Sequence, residues 1–171
     1  MSLSSLLVSL AEHKAWIEPQ FFDQLVNTTD HAAAHHQALR ILNHIHAVDR
    51  IWAGHLKGEP HGLAGTNPEP TPTAEDLRAA SAALNAWYVE HVRALTAEQL
   101  DEPLAFTFTD GDRGRMTRAE MLGHVFTHSS NHRGAVGAWL RQADVPPPRD
   151  LLTRHLHEPV SYTHLTLPTK A

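Results

Sequence analysis

Residues 117–142 read TRAEMLGHVFTHSSNHRGAVGAWLRQ. Thr117 stands three residues before Glu120, the capping-box arrangement in which a hydroxyl and a carboxylate each satisfy a backbone N–H at a helix start. Met121, Leu122, Val125 and Phe126, then Val136, Trp139 and Leu140, recur at three- and four-residue steps on either side of a polar middle, the period of an amphipathic helix. That polar middle holds His124, His128 and His132, each four residues from the next, so their rings share one helical face. At about 1.5 Å of rise per residue, neighbours lie about 6 Å apart and the outer pair about 12 Å. A consecutive pair can grip one metal ion, which leaves the third as a packing or supporting residue. The spacing does not say which.

Working outward, the chain supplies three more long helices. Residues 3–26 carry Leu6, Leu10, Trp16, Ile17, Phe21 and Leu25, interrupted by Pro19, which predicts a kink or a restart. Residues 32–56 carry Leu39, Leu42, Ile45, Val48, Trp52 and Leu56 at helical spacing, stopped by Gly58 and Pro60. A third helix starts at Thr73, with Asp76 three residues on, and continues through Leu77, Leu84, Trp87, Tyr88 and Val92. Thr96 and Gln99 cap a short turn after it. Four prolines and three glycines lie between residues 57 and 72, too many for regular structure. So long a connection predicts a crossover along a bundle or the rim of a site. Phe106 and Phe108 alternate with polar residues before Asp110-Gly111-Asp112-Arg113-Gly114, which predicts a small β-hairpin over residues 104–116. These aspartates lack the following Glu and the length of a calcium loop. Pro146, Pro147 and Pro148 end the 117–142 helix, and a last short helix spans residues 150–157. The expected fold is all-α: a four-helix bundle with a long crossover loop, a small β-hairpin before the fourth helix and a short C-terminal helix.

Composition narrows the function classes. The 171 residues carry a formal net charge of -5 and no cysteine. Disulfides, thiolate-bound zinc and a cysteine nucleophile are excluded. No basic excess draws the chain to nucleic acid or to an anionic membrane, and no apolar run is long enough to span a bilayer. The first ten residues lack the basic start of a signal peptide, so a cytoplasmic protein is expected. Histidine is over-represented, with 15 copies scattered along the chain rather than gathered in a tag. A third metal ligand has to come from a facing helix, and the second helix offers His44 and His46. Two residues apart means about 200° around the axis, so only one of them can face the site. Trp16, Trp52, Trp87 and Trp139 read as core anchors. Arg133 reads as the partner of a carboxylate on a neighbouring helix, and Asp49 as either a support for a ligand or one half of a salt bridge.

Asn43-His44 with Asp49-Arg50-Ile51-Trp52, taken together with residues 121–134 and above all His128-x-x-x-His132-Arg133-Gly134, resembles the DinB family of damage-inducible, metal-binding helical bundles. The likeness runs from about Ala11 to Glu158 and takes in Glu59-Pro60-His61-Gly62 and the hairpin turn. It implies that one histidine of the second helix and two of the fourth hold a divalent metal: His44, His128 and His132. His46 and His124 are left as neighbours. Zinc is the first choice of ion, with nickel and iron as alternatives. Three neutral imidazoles leave a fourth position for water or substrate, the pattern of a catalytic rather than a closed structural site. A metal there can lower the pKa of a water or of a substrate thiol. By resemblance, the expected activity is that of a thiol-dependent transferase or a hydrolase acting on a small-molecule substrate, a low-molecular-weight thiol among the partners. The alternative is a non-catalytic metal-binding stress-response or interaction protein, for instance a homodimer. Residues 1–158 form the expected DinB-like domain. Residues 160–171 resemble the translation of a transposon-based sequencing adaptor, so residues 159–171 are read as a non-native tail and His164 is not a ligand candidate.

Overall fold

The computed structural model describes residues 2–157. The predicted non-native tail, residues 159–171, lies outside the described residues. Helix α1 spans Leu3–Leu25, and a single 3-10 turn over Val26–Thr28 leads to α2, Ala32–Lys57. Helices α3, Ala74–Ala94, and α4, Ala97–Asp101, precede an antiparallel hairpin of β1, Pro103–Thr107, and β2, Arg113–Thr117. Helix α5 spans Arg118–Gln142 and α6 spans Leu152–His157. In the hairpin Leu104 faces Met116 and Phe106 faces Gly114. The Phe106 ring lies directly against Gly114, in space that any side chain at 114 would need.

The helix starts follow the capping signals. Thr73, Thr96 and Thr117 each accept the N–H three residues on, and at Thr96 and Thr117 the return bond from Gln99 or Glu120 completes a capping box. Gly58 closes α2 in the left-handed conformation with φ 70°, its N–H reaching back to Gly54 and His55. At Pro19 the outcome differs from the sequence expectation of a restart, because α1 continues through it as one helix. Proline removes one N–H, but Ile17, Phe21, Phe22 and Leu25 around it are all buried, and that packing keeps the helix continuous.

Helix α2 packs chiefly against α5, and α1 against α3; α1 also meets α5, and α2 meets α3. Around the bundle the order is therefore α1, α3, α2, α5. One apolar cluster gathers Leu7 and Ala11 of α1, Trp52 and Leu56 of α2, Tyr88 and Val92 of α3, and Met121 and Val125 of α5. The other gathers Ile17, Phe21 and Leu25, then Ala38 and Leu42, then Leu77, then Val136 and Leu140. Chain order through the two clusters gives the directions: α2 and α3 run parallel to each other and antiparallel to α1 and α5. Of the four tryptophans only Trp52 is buried; Trp16, Trp87 and Trp139 flank the clusters half-covered. They brace the edges of the core rather than fill it.

Two parallel consecutive helices require the connection between them to travel back along the bundle. It does so along α2, held at successive turns. Glu59 N–H donates to Gly54 O at 2.9 Å, Arg50 donates to His61 O at 3.4 Å, and Asn43 Nδ2 donates to Pro68 O at 3.2 Å. Gly54 makes the closest approach possible, since a Cβ there would lie 2.9 Å from Glu59 O.

Between the two apolar clusters lies a layer of buried charge. Lys14 Nζ donates to Glu18 Oε1, Asp49 Oδ2 and Asn85 Oδ1, each at 2.6 Å. Asn85 Nδ2 donates to Glu18 Oε2 at 2.6 Å, and Ser129 Oγ to Glu18 Oε1 at 2.9 Å. Arg133 donates to Ser129 and, through Nε, to Asp150 Oδ2 at 2.7 Å. Each of the four bundle helices contributes to the layer, which fixes their relative heights.

Candidate metal centre

Helices α2 and α5 bring His44, His128 and His132 together, so that one ligand atom from each lies within 4.8 Å of the others. The ring centroids of His44 lie 5.1 Å from His128 and 4.6 Å from His132, and His128 and His132 are 4.4 Å apart. Among the described residues this is the only group of three or more such side chains with metal-binding geometry. The other two candidates are placed elsewhere. His46 turns toward α3, with its Nδ1 3.3 Å from Ser81 Oγ. His124 stacks between His128, at 5.4 Å, and Trp52, at 4.9 Å.

The donor set fits a divalent ion. His44 Nδ1 donates to Thr66 O at 2.9 Å, which places the proton on Nδ1 and leaves the Nε2 lone pair facing inward. His44 Nε2 lies 3.2 Å from His128 Nε2. Two nitrogens bound tetrahedrally to one zinc at about 2.0–2.1 Å stand roughly 3.3 Å apart, so these two rings are already spaced for a shared ion. In the metal-free protein a single proton can bridge the same pair. Burial, followed by the imidazoles of His132, His44 and His124, pushes His128 down to about 3. Burial and His44 also lower His132. Both rings are therefore held neutral, the form that ligates metal. His128 Nδ1 is buried without a hydrogen-bond partner.

Asp49 is half of a salt bridge with Lys14 rather than a support for a ligand. Burial pushes it up to about 7 against the pull of Lys14. For Glu18, burial acts upward too, but Lys14, Arg133 and Asn85 outweigh it and leave the carboxyl below its ordinary range. Arg133 pairs with Asp150, just ahead of α6, and lies 3.7 Å from Glu18 of α1, so the expectation of a carboxylate partner for it holds. The sequence reading missed Lys14, Glu18, Asn85 and Ser129 as parts of a common layer.

Two cavities border the three imidazoles. One, of about 330 Å³, is lined by Gln37, Arg40, Ile41, His44, Asn67 and His132. The other, of about 240 Å³, is lined by Val48, Ile51, Trp52, His55, Thr66, Phe108 and Thr109 together with His44, His124 and His128. Thr66 and Asn67 come from the connection after α2, so that connection is a rim of the site as well as a crossover.

The DinB family profile matches residues 9–160. The chain belongs to the DinB family. Over 155 residues it is 26% identical to the protein named DinB of Bacillus subtilis (strain 168), an alignment covering 82% of this chain and 88% of that relative. No solved structure matches it. No helix among the described residues is long and apolar enough to cross a membrane.

Proposed function

We propose that this DinB-family protein binds one divalent ion through His44, His128 and His132 and acts as a metal-dependent transferase or hydrolase on a small molecule. In the transferase form a low-molecular-weight thiol is the second substrate. The observation that carries the reading is the pair of cavities at the ligand triad. A structural zinc site is closed by four protein ligands, whereas three ligands beside open space are the arrangement of a catalytic one. A bound zinc, nickel or iron ion supplies Lewis-acid chemistry and makes a nucleophile available near neutral pH. The chain does the rest. Thr66 O sets the tautomer and direction of His44, and the buried environment of His128 keeps that ring unprotonated. Trp52 and Phe108 give one side of the site an apolar wall. With no cysteine in the chain, sulfur chemistry has to use an external thiol.

The test is metal analysis of protein purified without a metal-affinity column, followed by thiol consumption with a panel of electrophiles. Metal-loaded protein is expected to consume thiol, and the metal-free form and His128→Ala are expected not to. Identical rates in all three overturn the transferase reading. Metal-dependent hydrolysis without thiol selects the hydrolase form. One bound ion with no turnover of either kind favours a non-catalytic metal-binding protein.

A further inference from the structure

The two cavities differ in chemistry and meet at His44, which lines both, with His132 on the wall of one and His128 on the wall of the other. Along α2 the order is Gln37, Arg40, His44, Val48, Trp52, so each step of three or four residues stays on one face. Helix α5 runs the other way and sets His132 beside the Arg40 end and His124 beside the Trp52 end. The first end is polar. Arg40 is exposed there and makes no hydrogen bond or ion pair among the described residues, with the Asn67 and Gln37 amides for company. The second end is aromatic. Trp52 packs 5.1 Å from Phe106 and 6.4 Å from Phe108, and Phe108 remains 42% exposed over the cavity. An unpaired guanidinium is a fork for a carboxylate or phosphate, and an exposed phenyl ring over an apolar hollow leaves hydrophobic area uncovered.

We infer that the site takes an amphipathic carboxylate: an aryl or branched-alkyl group against Trp52 and Phe108, a carboxylate on Arg40, and the reacting group between them at the three histidines. This rests on the proposed metal reading and adds the substrate class to it. Arg40 and Phe108 are then binding residues that set specificity. From Arg40 to Trp52 the helix rises about 18 Å, so the molecule has the size of a single amphipathic metabolite rather than a polymer.

The test uses hydroxamates on zinc-loaded protein, read by calorimetry. Acetohydroxamate carries the metal-binding head alone, 4-phenylbutyl hydroxamate adds the apolar arm, and succinic monohydroxamate adds the carboxylate arm. Each arm is expected to tighten binding tenfold or more over acetohydroxamate. Arg40→Gln is expected to cancel the gain of the carboxylate arm alone, and Phe108→Ala that of the apolar arm alone. Both residues are exposed, so neither change threatens the fold; circular dichroism checks this. A parallel titration of metal-free protein with 6-phenylhexanoate, followed by NMR, needs no ion. Failure of zinc to bind overturns the metal reading, and the phenylhexanoate titration then still decides the cleft through its dependence on Arg40 and Phe108. Arms that add nothing, or gains that survive both substitutions, overturn the inference while leaving the metal reading intact.

Discussion

Replacing Lys14 by methionine removes the ammonium that three buried oxygens share. Glu18 Oε1, Asp49 Oδ2 and Asn85 Oδ1 all sit 2.6 Å from it, and Lys14 is only 2% exposed. Breaking a buried ion pair from one side costs about 3–5 kcal/mol, because the remaining charge stays out of water without a partner. Here two carboxylates lose their partner, and only Arg133, 3.7 Å from Glu18, remains nearby. At roughly 2–4 °C per kcal/mol for a domain of this size, the unfolding midpoint is expected to fall by about 6–20 °C. The loss should depend on pH. Burial already raises Asp49 to about 7, and without Lys14 it rises further. A carboxyl whose folded pKa exceeds its unfolded value binds more protons when folded, so stability falls as pH climbs through that interval. The variant is therefore expected to lose less at pH 5, where Asp49 holds a proton, and more at pH 8. Thermal and urea unfolding followed by circular dichroism, with chelator present, measures both. A companion carrying Lys14→Met, Glu18→Leu and Asp49→Leu is expected to recover part of the stability, since apolar replacement removes the stranded charges. A loss under about 1 kcal/mol at pH 8, or one independent of pH, would refute the pairing described for this layer.

Three further outcomes are expected. His44→Ala, His128→Ala and His132→Ala should each abolish stoichiometric metal binding while His46→Ala and His124→Ala retain most of it; equal losses in all five, by metal analysis, would show the ligand set to be wrong. In the metal-free protein His128 is neutral when folded and ordinary when unfolded, so its contribution is lost as pH falls from about 6.5 toward 3. Asp49 acts in the opposite sense over an overlapping range, so the difference between wild type and His128→Gln is the quantity to measure, and the variant should show the shallower acid slope. Gly54→Val places side-chain atoms where Glu59 O and His61 Cβ now sit, 2.9 and 3.0 Å from a Cβ at that position. It should cost about 1–3 kcal/mol by overpacking and also weaken metal binding, because the displaced segment carries Thr66; unchanged metal affinity would separate the loop's seating from the site.

Local signals in the sequence located most of the fold. The Thr117–Glu120 box, the Thr73 and Thr96 caps, Gly58 and the Phe106 alternation each act within four residues, and each element appears where its signal put it. The ligand helices were legible for the same reason, since i, i+4 spacing is a local property. The choice of His44 over His46 was not local. It depended on resemblance; in the structure His44 lies beside His128 and His132, while His46 turns toward Ser81 of α3. The charged layer was illegible because Lys14 and Glu18, four apart on α1, read as an ordinary solvent-facing pair. Their burial is decided by Asp49, Asn85, Ser129 and Arg133, residues 31 to 119 positions away along the chain. At Pro19 the sequence left a restart open, and the packing of Phe21 and its neighbours keeps α1 one continuous helix.

The three imidazoles stand on helices, while a part of the cavity wall does not. Asn67 and Thr66 come from the connection after α2, and Phe108 and Thr109 from the hairpin turn. That part of the wall can change without altering either histidine-bearing helix. Descendants of one bundle can exchange residues at 67 or 108, or lengthen the turn beyond 108, and present a different cavity around the same three-histidine frame. A library randomised at those positions alone would sample new preferences without spending variants on broken metal sites.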